Sequence, residues 1–322
     1  MEGVLFENGK NVNSYNGVLW DGLFSKVLSN GKIIEYIQTI LPNNVLCIIP
    51  KSDGNISKHD TIQDYRDIDW DTHIQPYIDY AEKINNIFII GTLAQVREEN
   101  YNYVYLPLDD DFFCYGVNTY LKKESLPKWE ERSSDLCWRG GCSGVGGIDS
   151  LRVRFVKKIY EYNPHTNVRL SVWWSCNQNI PTQYFAQPFE DRISYLEFTK
   201  HKIFFIVDGA CIASNHMYGF ACGCVPFMLS NAKCWFSHLI VPYVHYIPIH
   251  YDLSNLIEQI EWVNHNDHEA KIISENAYNF SEMYFSSEYQ KKYLRESIDN
   301  LVTQDDMVKT SSYFRLINRY AL

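Results

Sequence analysis

The feature that most restricts the fold is a series of short apolar runs that stop at glycine, proline or aspartate and alternate with stretches of helical periodicity. Asn44 to Pro50 and Asn86 to Gly91 are two such runs, with an amphipathic stretch from His73 to Ile84 between them. Ile203-Phe204-Phe205-Ile206-Val207, stopping at Asp208-Gly209, and Val225 to Leu229 repeat the pattern further on. An unbroken apolar run suits a strand buried on both faces, and strands separated by helices suit a parallel sheet. The chain is therefore read as α/β. Its 322 residues, 46% of them hydrophobic, can build two cores of roughly 150 residues each. The charged segment Lys122 to Ser134, with Pro127, reads as the connection. This gives an N-terminal domain over 1–130, a C-terminal domain over 131–298 and a helix or tail over 299–322 that packs back on the first domain.

Composition excludes several classes of function. With 29 Lys+Arg against 39 Asp+Glu, the formal charge of −10 offers nucleic acid no general attraction. Aromatic residues make up 15%, far too many for an intrinsically disordered chain. No apolar run approaches the roughly 20 residues that span a bilayer. Met1 to Asn8 has neither the basic nor the apolar part of a secretory signal. Nine cysteines, an odd number scattered through apolar stretches, suit free buried thiols in a reducing compartment, so a cytoplasmic location is expected. Cys222-Gly223-Cys224 is too closely spaced for an ordinary zinc pair, and no structural metal site is expected.

Three segments carry candidate chemistry. Trp138-Arg139-Gly140-Gly141 opens a glycine-rich stretch that runs to Gly147 and leads into a helix with Ile148, Leu151, Phe155 and Ile159 on one face. Glycines there would let backbone N–H groups approach a diphosphate, with Arg139 supplying a permanent cation; an ordinary tight strand-to-helix turn fits equally well. The stretch lacks the Lys-Ser/Thr end of a P-loop and the spacing of a dinucleotide fingerprint, so ATP and NAD are poor candidates. Asp109-Asp110-Asp111 follows the strand Tyr103 to Leu108 directly, where an open α/β sheet presents residues to a ligand crevice. It reads as a metal-binding acidic motif, as a source of a general base, or as a solvated turn. Asp208-Gly209 through Ser214, Asn215 and His216 forms a third junction from strand to helix. There Ser214 or Asn215 would cap the helix or meet a phosphate.

Taken in order, Trp138-Arg139-Gly140, Lys200 to Lys202 leading into Phe205 to Gly209, Ser214-Asn215, Gly223-Cys224, Pro242 to Pro248 with His245-Tyr246, Asp252-Leu253-Ser254, Ile260 to Trp262 and Asn266-Asp267 resemble glycosyltransferase family 90, the CAP10-like group. That group contains protein O-glucosyltransferases, capsule xylosyltransferases and lipopolysaccharide glycosyltransferases. The resemblance covers Asp135 to Phe280 and is most specific at His245 to Ser254.

The resemblance implies a GT-B fold, in which two Rossmann-like domains face each other across a cleft. It also implies a UDP-sugar donor in the second domain, inversion at the anomeric carbon, no metal and no cofactor. Glucose or xylose would pass to a hydroxyl of a glycan or glycan precursor. By this analogy Asp111, or its neighbours Asp110 and Asp109, takes the proton from the acceptor hydroxyl. The donor would be met by Arg139, Gly140, Gly141, Arg152, Asp208, Gly209, Ser214, Asn215, His216, Gly223, His245, Tyr246 and Asp252. One departure stands out: many members carry Ser-x-Arg after the Asp-Gly element, where this chain has Ala213-Ser214-Asn215, which makes Arg152 or Arg154 a substitute for the missing arginine. Two alternatives remain, a metal-dependent GT-A-like transferase using Asp109 to Asp111, and a non-catalytic glycan- or nucleotide-sugar-binding protein on a degenerate transferase fold.

Overall fold

Parallel pairing begins where the first apolar runs predict it. The computed structural model describes residues 3–7, 10–14, 32–43, 45–50, 56–57, 68–69, 71, 74–83, 87–92, 102–107, 110–117, 121–144, 146–171, 180–186, 193–209, 212–213, 215–230 and 232–319. The chain divides into two compact units, one of Met1–Asp110 with Glu288–Leu322 and one of Asp111–Ser287.

In the first unit, β1 (Gly3–Glu7) and β2 (Lys10–Ser14) form an antiparallel hairpin, followed by α1 (Lys32–Ile40) and β3 (Val45–Pro50). Two short strands, β4 (Ile56–Ser57) and β5 (Ile68–Asp69), pair with each other, before α2 (Gln75–Lys83), β6 (Ile87–Thr92) and β7 (Tyr103–Tyr105). The main sheet has the order β2-β1-β3-β6-β7, with β3, β6 and β7 parallel and β1 antiparallel to β3. Val45, Leu46, Cys47, Ile49, Ile87 and Ile89 are buried, as a strand covered on both faces requires. Ile33, Ile37 and Leu41 recur at helical spacing and bury one face of α1. The N-terminal hairpin is absent from the sequence expectation, because Lys10 to Ser14 contains only one apolar residue.

The second unit opens with α3 (Asp110–Tyr115), whose first residue closes the first unit. Its framework is β8 (Cys137–Gly141), α4 (Leu151–Tyr162), β9 (Asn167–Ser171), the short α5 (Tyr195–Phe198), β10 (Ile203–Val207), α6 (His216–Ala221), β11 (Val225–Leu229), β12 (Ile247–Pro248), α7 (Leu256–His265) and α8 (Asp267–Tyr284). β8 and β9 pair in parallel, as do β10, β11 and β12 in that order, and β8 packs beside β10. All residues of β10 and β11 are buried. One aromatic ladder runs from Trp138 through Phe155 and Phe205 to Phe227, with ring centroids 5.3, 5.1 and 5.5 Å apart. A second group, Phe220, Trp235, Phe236, Phe280 and Phe285, packs where α6 meets α8. Edge-to-face contacts of this kind add to the hydrophobic gain of burying large rings.

The last helix, α9 (Ser287–Arg319), is one continuous element that runs into the segment expected as a helix or tail. Leu294 and Ile298 are buried; within the first unit Tyr36 Oη donates to Lys291 O (3.2 Å) and Tyr293 Oη to Tyr105 O (3.0 Å).

Two further expectations change. β8 extends through Gly141, so Arg139, Gly140 and Gly141 are strand residues and the loop begins at Cys142. The thiols are not all free: Cys142 is disulfide-bonded, while Cys47, Cys114, Cys137, Cys222, Cys224 and Cys234 are free. A parity argument from an odd count cannot place a single bridge, and a bridge is more typical of an oxidising compartment. Among the described residues no helix is long and apolar enough to cross a membrane.

Candidate functional site

The carboxyl ends of β8 and β10 lie together, and the loops that leave them meet. After Gly141 the chain turns through Gly144, Gly146 and Gly147, all at positive φ (148°, 99° and 59°), a conformation that side chains disfavour. A 3-10 turn, Gly147–Asp149, then delivers Ser150 to the start of α4. Ser150 is fully buried, its hydroxyl does not cap the helix, and its Oγ has no hydrogen-bond partner. A buried orphan hydroxyl carries a cost that a bound polar group would remove.

Arg152, in the first turn of α4, ties the two strand ends together. Its Nε donates to Val207 O (3.1 Å), and one terminal nitrogen donates to Gly141 O (3.3 Å) and Ser143 Oγ (3.0 Å). Gly209 lies close against this cluster. A Cβ there would come within 2.6 Å of Ser143 Oγ and 3.2 Å of the Arg152 guanidinium carbon. The site therefore combines a permanent cation, a glycine-lined approach and an unsatisfied hydroxyl.

Behind Gly209 sits a buried polar pair. Asp208 Oδ1 accepts the Ala213 N–H (2.8 Å) and lies 3.2 Å from Nε2 of the fully buried His216. Burial by itself pushes the imidazole pKa down, but Asp208, and the Cys234 thiol beside the ring, outweigh it and raise it to about 9. His216 Nδ1 makes no hydrogen bond of normal geometry, although Cys234 lies close enough to act on its charge.

The other sequence candidates lie elsewhere. Arg139 donates to Asn167 O (2.7 Å) and Asn167 Oδ1 (2.6 Å) at the amino end of β9. Gly140 makes room for the Trp138 ring, which a Cβ would meet at 2.5 Å. Gly223, at φ 65°, makes the turn into the amino end of β11. His245 Nδ1 accepts the Val241 N–H (2.9 Å) and the Tyr246 carbonyl accepts the Tyr243 N–H (2.7 Å), so both belong to a tight turn before β12. Asp252 Oδ1 accepts the Ser254 N–H (2.9 Å) in the turn that leads to α7, a bond that holds its carboxyl below the usual range. Arg154 donates to Asp149 O (2.9 Å) and lies 5.3 Å from the centre of the Tyr251 ring. Asn215 directly precedes α6 and its Oδ1 is buried without a partner. Asp109 and Ser214 lie outside the described residues, and of Asp110 and Asp111 only the backbone, opening α3, is described. Sequence reasoning missed Ser143 and Ser150; a serine just before an amphipathic helix was the available signal for Ser150.

The family model for glycosyl transferase family 90 matches residues 117–301. The chain belongs to this family. It is 28% identical over 205 residues to uncharacterized protein 179R of Invertebrate iridescent virus 6, covering 55% of the chain and 17% of that protein. It is also 28% identical over 151 residues to protein O-glucosyltransferase 2 of Danio rerio (46% of the chain, 28% of the relative) and 30% identical over 96 residues to human protein O-glucosyltransferase 1 (30% and 24%). The chain thus spans 17 to 28% of the length of these relatives. The match takes in β8 through α8, including every element of the strand-end site.

Proposed function

We propose that this family 90 chain is a glycosyltransferase that moves glucose or xylose from a UDP-sugar to a hydroxyl of a glycan or glycan precursor, with inversion and without a metal, on a GT-B arrangement of two Rossmann-like domains. The observation that carries the donor assignment is Arg152 held across the ends of β8 and β10, with Gly209 against it. Open α/β sheets bind ligands at strand carboxyl ends, and a guanidinium recognises phosphate oxygens in a fork geometry. Ser143, the orphan hydroxyl of Ser150 and the amide groups of the glycine turn would share the diphosphate with it. As the bond to the sugar breaks, charge accumulates on the leaving UDP, and a cation already in place lowers the barrier. Asp111 is assigned as the general base that takes the acceptor proton. Glucose is the donor sugar tested first, because the named relatives are O-glucosyltransferases.

Purified protein incubated with UDP-glucose or UDP-xylose, with and without EDTA, should release UDP from one of them at a rate EDTA does not change. Release that requires added Mn²⁺ would replace the metal-free mechanism, and UDP binding without release, acceptor present, would replace transfer by simple binding. Asp111→Asn should cut transfer at least about a hundredfold, the usual span of a general base, while UDP affinity stays within twofold or so. Equal transfer rates in this variant would move the base elsewhere.

A further inference from the structure

We infer that Asp208 and His216 form a buried ion pair that fixes the turn between β10 and α6, and so sets Gly209 against Arg152 in the donor-binding geometry. The inference rests on the donor site proposed above and assigns the two residues a positioning role, with no contact to the nucleotide required. His216 is fully buried and Asp208 nearly so, which shields both from the solvent a phosphate would bring. One carboxylate oxygen receives both the Ala213 N–H and the imidazole, so a single atom joins the start of the turn to its last residues. The Asp208 N–H in turn donates to Leu229 O (3.2 Å), anchoring the pair to the end of β11. Gly209 is the next residue, and it lies so close to Ser143 and Arg152 that a methyl group there would push their side chains aside. Any drift of the turn is therefore transmitted directly to the arginine.

Such a latch is charge-dependent. Among the described residues, the groups that act on the imidazole charge are Asp208, from the end of β10, and Cys234, from the segment after β11, with the Phe236 ring 6.4 Å away. The pair is intact while the imidazole keeps its proton and weakens as pH rises through about 9.

The test combines UDP titration calorimetry with hydrogen exchange on wild-type protein and His216→Gln. Gln cannot lose a proton in this range, so the variant controls for ionisation of UDP itself. Between pH 7.5 and 9.5 wild-type affinity should fall about threefold more than that of the variant, which should already bind about tenfold more weakly at pH 7.5. Without ligand, a peptide spanning 207–217 should exchange faster in the variant, while peptides of β11 stay unchanged. Parallel pH profiles, or equal exchange, would overturn the latch. If His216→Gln does not fold, Asp208→Asn takes its place, and a wild-type profile flat to pH 9.5 with the fold intact by circular dichroism would be decisive against it. Wild-type protein that binds no UDP at any pH would remove the donor assignment instead, and the exchange comparison would still accept or reject the pair as the element that holds the turn.

Discussion

Two arginines of the second unit, Arg132 and Arg152, lie near opposite ends of its parallel strands and are built differently. Arg132, near the amino end of β11, is tied into the protein by both terminal nitrogens, which donate to Thr199 O (2.7 Å), Cys222 O (3.1 Å), Pro127 O (3.0 Å) and Cys224 Sγ (3.1 Å), while its buried Nε has no partner. The surrounding segment is pinned by Trp129 Nε1 to Asp267 (3.0 Å) and by Lys202 to Asp267 (2.6 Å). Arg152, at the carboxyl edge, joins strand ends instead and shares its surroundings with glycine backbone and an orphan hydroxyl. The amino edge uses its cation to close the fold, while the carboxyl edge sets one between two strand ends beside the glycine turn. Family 90 membership alone does not separate the two, since both lie within the matched residues.

The largest effect should come from the amino edge. Arg132→Met should lower stability by about 3–5 kcal/mol, because several buried carbonyls lose their donor together, and urea denaturation would read it as a lower midpoint. A loss no greater than that of Arg152→Ala would break the contrast. Next is the pH dependence of stability. The pKa of His216 is raised in the folded protein, so its contribution is complete below about 6.5 and disappears as pH rises through about 9. Denaturation midpoints should fall across that window in wild-type protein and hold level in His216→Gln.

Arg152→Ala should weaken UDP binding by roughly 1.5–3 kcal/mol, the value of a charge-assisted hydrogen bond, with a smaller stability loss than Arg132→Met. Unchanged UDP affinity would return Arg152 to the same structural role as Arg132. Smallest of all, Lys271→Ala removes the exposed pair with Glu130 (2.8 Å) and should leave the urea midpoint within error, which would confine the strength of the amino edge to Arg132.

Much of the second unit was legible in the residues. Unbroken apolar runs predicted β10 and β11, and the i, i+3, i+4 spacing of Leu151, Phe155 and Ile159 predicted the buried face of α4. Such patterns are local consequences of burial and report themselves along the chain. The Asp208-Gly209 junction was legible for the same reason. The role of each arginine was not. Arg139 stood beside the glycines and read as the ligand cation, yet its guanidinium turns to Asn167, while Arg152 reaches the strand ends. Arg132 sat in a charged segment that read as a connection and is buried.

By itself, then, the sequence determined the alternation of strands and helices, the family and the location of the glycine turn, all properties of contiguous residues. Only the tertiary structure decided which cation faces the turn, that Ser150 is left without a partner, that Asp208 and His216 meet, and that Cys142 is bridged. Each of these depends on where a long side chain or a distant segment lands after strands pair. Neighbours in space set that outcome, and spacing along the chain does not encode them.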